Sequence, residues 1–254
     1  LRNSLKSLKF PLVIKLDSLA SGKGVLVAKS VVEAKKFLKH VELGYIGNKN
    51  TKIIVEEKLV GEEASFFFVT DGKNVSFLGS ARDYKRVGEN NTGLNTGGMG
   101  CISPSPFENS KNINKVLKEF IKPTINTMHN LGYTYKGILY AGLMFTNKGI
   151  YLIEYNIRLG DPECQGIFSR LKTDFLKVCL MTENNKLDKI KMNLDKKNSL
   201  CVVLASRGYP EKYKTGFKIN GINSLKNSAV DIYHAGTKMD NKKNFITNGG
   251  RVLN

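Results

Sequence analysis

Ile153-Glu154-Tyr155-Asn156-Ile157-Arg158-Leu159-Gly160-Asp161-Pro162-Glu163 reads as the end of a strand, a tight turn and the start of a helix. Side chains alternate along a strand, so Glu154 and Asn156 face the same side. A carboxylate beside an amide oxygen suits a hard divalent cation such as Mg²⁺, which is commonly shared with substrate phosphates. Arg158 adds a planar, permanently charged fork suited to phosphate or carboxylate. Asp161 stands where an N-cap belongs, with Pro162 at the first helical position. The same residues also read as a strand-to-helix corner with incidental polar side chains.

The chain has 254 residues and 41% hydrophobic content, enough for a sizeable core and one or two domains. Its longest apolar runs, Phe66-Phe67-Phe68-Val69 and Leu200-Cys201-Val202-Val203-Leu204-Ala205, are strand-sized. They fall well short of the ~20 residues a membrane span needs, so no membrane partner is expected. The first residues show neither an apolar signal-peptide core nor a cleavage pattern. Cys101, Cys164, Cys179 and Cys201 are scattered without CxxC spacing. That predicts reduced thiols in a cytoplasmic compartment, not a zinc site or a disulfide framework. The formal charge is +18, but the lysines are dispersed and often sit beside asparagines, as in Asn48-Lys49-Asn50. Apart from the run 82–86, no block interleaves basic residues with aromatics, so the charge reads as a solvated surface and a nucleic-acid partner is not expected.

Strands are predicted at 10–16, 25–28, 52–57, 64–70 and 74–81, with Asp71-Gly72 as a hairpin turn. Ser30-Val31-Val32-Glu33 is a capping-box pattern opening a helix to about residue 40. Residues 88–106 read as one long loop rich in Gly, Asn and Pro, a type that is usually functional or disordered. A helix over 113–131, strands over 137–145 and 150–155, and a mostly helical stretch over 162–182 follow. The polar, lysine-rich segment 184–198 is a boundary, and short strands are predicted at 200–205, 229–234 and 244–247.

Several loops hold residues with chemical potential. The small-residue loop ending Gly22-Lys23-Gly24, near Lys15, lets backbone amides approach phosphate oxygens while lysines offset their charge. It is not a P-loop, because a strand follows it; an ordinary glycine hairpin is the alternative. Glu56-Glu57-Lys58-Leu59-Val60-Gly61-Glu62-Glu63 joins two strands, and its acids suit an adenine amino group and ribose hydroxyls, or simply solvent. Arg82-Asp83-Tyr84-Lys85-Arg86 leads into Asn95-Thr96-Gly97-Gly98-Met99-Gly100, a glycine-dense backbone able to wrap a ligand beside cationic groups. His234 at a strand end reads as a structural histidine, and with three histidines the chain has little material for histidine-based metal or nucleophile chemistry.

Together with Phe10-Pro11-Leu12-Val13-Ile14-Lys15, Leu139-Tyr140-Ala141-Gly142-Leu143-Met144 and Asn248-Gly249-Gly250-Arg251-Val252-Leu253, these segments resemble the glycinamide ribonucleotide synthetase family, the phosphoribosylamine–glycine ligases, ATP-grasp enzymes of purine biosynthesis. The motifs recur in the family's order across nearly the whole chain. Departures are Leu16-Asp17-Ser18 for the usual Ala-Asp-Gly, Arg82 and Tyr84 for Gln and His, Asn90 or Asn91 for an acid, and Leu159 for Phe.

The resemblance implies an α+β, ATP-grasp fold with a small C-terminal β-rich domain. It divides the chain into a nucleotide-lid subdomain over 1–75, a central subdomain with the metal and substrate sites over 76–185, and a C-terminal domain over 186–254. The family's N-terminal domain is expected to be missing and the C-terminal one truncated. The resemblance assigns ATP binding to Lys15, Gly22, Lys23, Gly24, Glu56, Glu57, Leu59 and Glu63, with Lys23 on the phosphate-covering loop. It assigns Mg²⁺ or Mn²⁺ to Glu154 and Asn156, and the acyl-phosphate end to Arg158 and Asp161. Phosphoribosylamine falls to Asp83, Lys85, Arg86, Asn95, Thr96, Gly97, Gly98 and Met99. The implied reaction joins glycine to 5-phosphoribosylamine at the expense of ATP, in a monomer. Another ATP-grasp carboxylate–amine ligase, or a basic nucleic-acid-binding derivative, are the alternatives.

Overall fold

The computed structural model describes residues 8–18, 24–48, 51–225 and 229–254. The chain forms two compact units, Leu1–Val60 and Gly61–Asn254.

In the first unit, strands β1 (Leu12–Leu16), β2 (Val25–Ala28) and β3 (Ile53–Glu57) form an antiparallel sheet in the order β2-β1-β3. Helix α1 (Val31–Glu42) begins where the capping pattern predicts: the Ser30 hydroxyl accepts from the Glu33 amide, and the Glu33 carboxylate accepts from the Lys29 amide at 2.8 Å. Its buried residues Ala34, Phe37, Leu38 and Val41 recur at helical spacing and pack on Leu12, Ile14 and Leu16. Because β1 alternates, burying Ile14 and Leu16 turns Lys15 to the opposite face.

The second unit is built on β4 (Glu62–Thr70), β5 (Val75–Asp83), β8 (Gly100–Ser103), β9 (Gly137–Thr146), β10 (Gly149–Asn156) and β11 (Ser199–Val202). They form a six-stranded sheet ordered β10-β9-β4-β5-β8-β11, with every neighbouring pair antiparallel. The central strand β4 explains the apolar run Phe66-Phe67-Phe68-Val69. Phe66 and Phe68 pack with Val116, Ile121 and Ile125 on one face, while Phe67 packs with Leu78, Tyr140 and Ile167 on the other. The first of these faces is covered by α2 (Ser110–Val116), a π-helical turn (Leu117–Ile121) and α3 (Lys122–Asn130); the second is covered by α4 (Glu163–Phe168). The predicted turn at Asp71-Gly72 is present: Gly72 has φ +93° and the Asn74 amide donates to Asp71 at 2.6 Å.

Some expectations need correction. The loop predicted over 88–106 contains a hairpin, β6 (Arg86–Gly88) with β7 (Thr92–Asn95), and then β8, whose short apolar Cys101-Ile102 core the glycine and proline density obscured. The stretch 162–182 is two helices, α4 and α5 (Phe175–Glu183), the second started by Asp174 as N-cap. The strand expected at 229–234 is absent apart from a bridge between His234 and Leu253; pairing is instead made by β12 (Leu204–Ala205) with β15 (Arg251–Leu253) and β13 (Thr237–Met239) with β14 (Phe245–Thr247). The units divide at Val60/Gly61 and not at 75/76, because β4 pairs along nine residues with β9 and cannot separate from it. Nor is 185/186 a break in packing: Leu187 is fully buried with Val69 and Val178, and its amide donates to Asp71 at 3.1 Å.

Candidate functional site

In the first unit, Lys15 on β1 forms an ion pair with Glu56 on β3, Nζ to Oε2 at 2.6 Å. The antiparallel register sets this contact, since it places Val13 opposite Glu56 and Lys15 opposite Ile54, so the two side chains meet diagonally. Gly24 accepts from the Leu16 amide at 2.8 Å, closing the base of the glycine loop. Glu57 is exposed and Leu59 half-buried just beyond β3. Gly22 and Lys23 lie outside the described residues.

The other site residues lie on the second unit. Glu154 and Asn156 at the end of β10 are neighbours as the alternation requires, with the Asn156 amide donating to the Glu154 carboxylate at 3.1 Å. Among the described residues no three His, Cys, Asp or Glu side chains converge on one point. Two adjacent, solvent-accessible oxygen donors fit Mg²⁺, which keeps waters and phosphate oxygens in its shell, and do not fit a metal that needs a closed protein cage.

At the edge of β4, Glu62 pairs with Arg82 at 2.5 Å and Glu63 with Lys85 at 3.2 Å. Burial alone would lower the Lys85 pKa, but the charges of Glu63 and the other acidic groups nearby outweigh it and hold the ammonium protonated. Deeper, Ser65 donates to the Tyr140 phenol at 2.7 Å and reaches Glu163 at 3.3 Å. Glu163 is almost fully buried. Asp83 sits beside it, and burial, followed by the Glu163 charge, pushes its carboxyl from 3.8 up to about 7. The Asp83 Oδ1 atom is buried without a hydrogen-bond partner, which disfavours the anion there.

The glycine segment folds over this group. Thr96 binds the Lys85 carbonyl through both amide and hydroxyl, each at 2.8 Å, and the Gly98 amide donates to the Thr96 hydroxyl at 3.0 Å. Gly98 has φ +114°, and an added Cβ would meet the Pro162 ring and the Asp83 carboxylate, so glycine is required there. The Met99 amide donates to the Tyr84 carbonyl, while Arg86 and the exposed Asn95 close the β6–β7 hairpin beside it, Arg86 donating to the Gly93 carbonyl at 2.7 Å.

Arg251 ties this segment to the opening run. Its guanidinium donates to the Gly97 carbonyl at 2.8 Å, the Asp161 carbonyl at 2.9 Å and the Asp161 carboxylate at 2.8 Å. Asp161 is therefore not the N-cap that its position predicts. Helix α4 begins after Pro162 without a side-chain cap, and the Asp161 carboxylate is held by Arg251 and Gln165 instead. Arg158 is exposed, with one hydrogen bond to the Leu159 carbonyl. The roles of Glu163, Tyr140, Ser65 and Arg251 were missed. Glu163, Tyr140 and Arg251 stand within the family motifs, but nothing local distinguishes a buried carboxylate or a long-range clamp from surface charge.

The residues 1–164 match the family profile "Phosphoribosylglycinamide synthetase, ATP-grasp (A) domain", and 199–254 match "Phosphoribosylglycinamide synthetase, C domain". A phosphoribosylamine–glycine ligase of Caldanaerobacter subterraneus subsp. tengcongensis is 44% identical over 98% of this chain and 59% of its own length. The Haemophilus influenzae enzyme of the same name is 45% identical over 96% of this chain and 57% of its own. The crystal structure of the Thermotoga maritima phosphoribosylamine–glycine ligase superposes with a TM-score of 0.86 at 35% identity, covering 99% of this chain and 62% of that one. A biotin carboxylase domain from Hydrogenobacter thermophilus, solved with MgADP, shares the fold at a TM-score of 0.66 and 13% identity. The chain thus spans 57–59% of the length of these curated relatives.

Proposed function

The chain belongs to the phosphoribosylglycinamide synthetase family, and from that premise we propose that it carries the ATP and amine sites of an ATP-dependent ligase joining glycine to 5-phosphoribosylamine. The observation that carries this reading is the convergence of Glu63, Lys85, Asp83, the Gly97-Gly98 turn, Asp161 and Arg251 in one polar cluster, with the oxygen pair of Glu154 and Asn156 on the same unit.

A carboxylate is a poor electrophile, so the glycine oxygen first takes the γ-phosphoryl group and ADP leaves. The amine then attacks the acyl carbon, the C–N bond forms, and phosphate departs with the C–O bond. On the second unit, Arg158 offsets charge on the transferring group; on the first, Lys15, already oriented by Glu56, is suited to a nucleotide phosphate. Glu154 and Asn156 would hold Mg²⁺, which neutralises phosphate charge when bound. Lys85 and Arg86 attract the substrate phosphate, and the Gly97-Gly98 backbone wraps the sugar. Asp83, with its carboxyl near 7, is matched to take up the proton that the attacking amine loses. On the first unit Glu57 and Leu59 are suited to the adenine, and on the second Glu63 to a ribose hydroxyl.

On the same reading the protein acts as a monomer in the cytoplasm; its four cysteines are free thiols, which suits a reducing compartment. No described helix is long and apolar enough to cross a membrane.

The test is ADP release with glycine and phosphoribosylamine supplied singly and together. ADP that needs both, and that Glu154→Ala abolishes, supports the proposal. Turnover with a different acid or amine, but not with this pair, refutes the substrate assignment and leaves another ligase of the same fold.

A further inference from the structure

Cys101 on β8 and Cys201 on β11 are direct partners in the antiparallel register. Antiparallel partners sit about 4.5–5.5 Å apart at Cα, inside the ~4.4–6.8 Å that a disulfide spans. Both thiols are free and buried in one packed cluster with Phe67 and Ile167. Nothing in the ligase chemistry uses either of them. Their setting is asymmetric. Cys201 lines an open cavity of about 870 Å³ bounded by β11, β12 and the C-terminal segment, so a small oxidant can reach it. Cys101 lies on the same face of the sheet but deeper, against Gly166 of α4, with its sulfur 3.3 Å from the Pro162 carbonyl.

We propose that Cys101 and Cys201 are a reversible dithiol–disulfide pair, a modification site that cross-links β8 to β11 behind the Asp83 and Asp161 cluster when a peroxide enters the cavity. Cys201 is the attacking sulfur. Cys201 faces the cavity, whereas the Cys101 thiol donates its proton to the Pro162 carbonyl and is held as the thiol. The Cys201 thiolate attacks a peroxide oxygen: an S–O bond forms, the O–O bond breaks, and the departing hydroxide takes up a proton as water. Cys101 then attacks the sulfenic sulfur: the S–S bond forms, the S–O bond breaks, and a second water leaves with the Cys101 proton. Two thiols lose two electrons and one hydrogen peroxide becomes two waters.

The site is linked to its neighbours. Cys101 stands opposite Asp83 in the β5–β8 register, and its thiol proton is the one that reaches the Pro162 carbonyl at the start of α4. Oxidation removes that proton.

The experiment is hydrogen peroxide treatment of the native chain, then alkylation of remaining thiols, unfolding, and peptide mapping. Because Cys179 is exposed and Cys164 half-buried, it is run both on the native sequence and on the Cys164→Ser/Cys179→Ser variant. We expect a disulfide joining the Cys101 and Cys201 peptides in both, reversed fully by dithiothreitol. In Cys101→Ser, dimedone should trap a sulfenic acid on Cys201. In Cys201→Ser, Cys101 should stay reduced, at least tenfold slower to react than Cys201 in the native chain. Cys101 and Cys201 both remaining alkylatable after peroxide treatment, or Cys101 reacting first, overturns the proposal. Mapping of the native chain settles the matter even if a serine variant fails to fold.

Discussion

Replacing Asp83 by Asn gives a measurable pH signature. The Asp83 carboxyl moves from 3.8 in an unfolded chain to about 7 in the folded one, because of burial first and the Glu163 charge second. Between those values the folded state holds a proton that the unfolded chain has released. Its stability therefore falls as pH rises from about 4 to about 7, and levels off above. At ~1.4 kcal/mol per pH unit the full effect is about 4 kcal/mol, of which about 2–3 kcal/mol accrues between roughly pH 5 and pH 8. Asn cannot titrate, so the advantage of Asp83→Asn over the native chain should grow by that amount across the interval. Urea unfolding at both pH values, followed by tyrosine fluorescence, is the assay. The chain has no tryptophan, and Tyr45 is its one tyrosine before residue 61, so the signal reports mainly on the second unit. Glu163→Gln should shrink the pH dependence without abolishing it, since burial remains. Parallel pH profiles for the native chain and Asp83→Asn would refute the buried-pair reasoning.

Three further outcomes are expected. Arg251→Met removes hydrogen bonds to the Gly97 carbonyl and to the Asp161 carbonyl and carboxylate; with Asp161 half in solvent, the loss should be about 2 kcal/mol by urea unfolding, with faster amide exchange at residues 95–98. A loss confined to remote segments would contradict the clamp. Arg170→Met strands the buried Glu108 carboxylate, now 3.2 Å from the guanidinium, and should cost about 3–5 kcal/mol; a second change, Glu108→Gln, should recover part of it. Gly98→Ala forces a Cβ against Pro162 and Asp83 at φ +114° and should cost about 1–3 kcal/mol, with substrate affinity falling more than the fold suffers; an unchanged affinity and melting temperature would argue against the close approach.

Features with a local physical cause were legible in the sequence. Period-two alternation put Glu154 and Asn156 side by side, and the structure has them in contact. The capping pattern at Ser30 and the Asp71-Gly72 turn are also local, and both formed as read. Where strand signals were short, as at Cys101-Ile102, the surrounding glycine and proline outweighed them, because an apolar pair is too brief to show a period.

The sequence by itself determined the longer strands and helices, the order of the motifs and hence the family. Only the tertiary structure decided which charges meet. Lys15 with Glu56, Glu63 with Lys85, and Arg251 with Asp161 ninety residues away depend on strand register and on the path of the C-terminal segment. Asp161 looked like a cap because local chemistry favoured it, yet a guanidinium from far along the chain claimed its carboxylate. Burial of Glu163 beside Asp83 follows the same rule: desolvation belongs to the packed assembly, and no stretch of sequence specifies it alone.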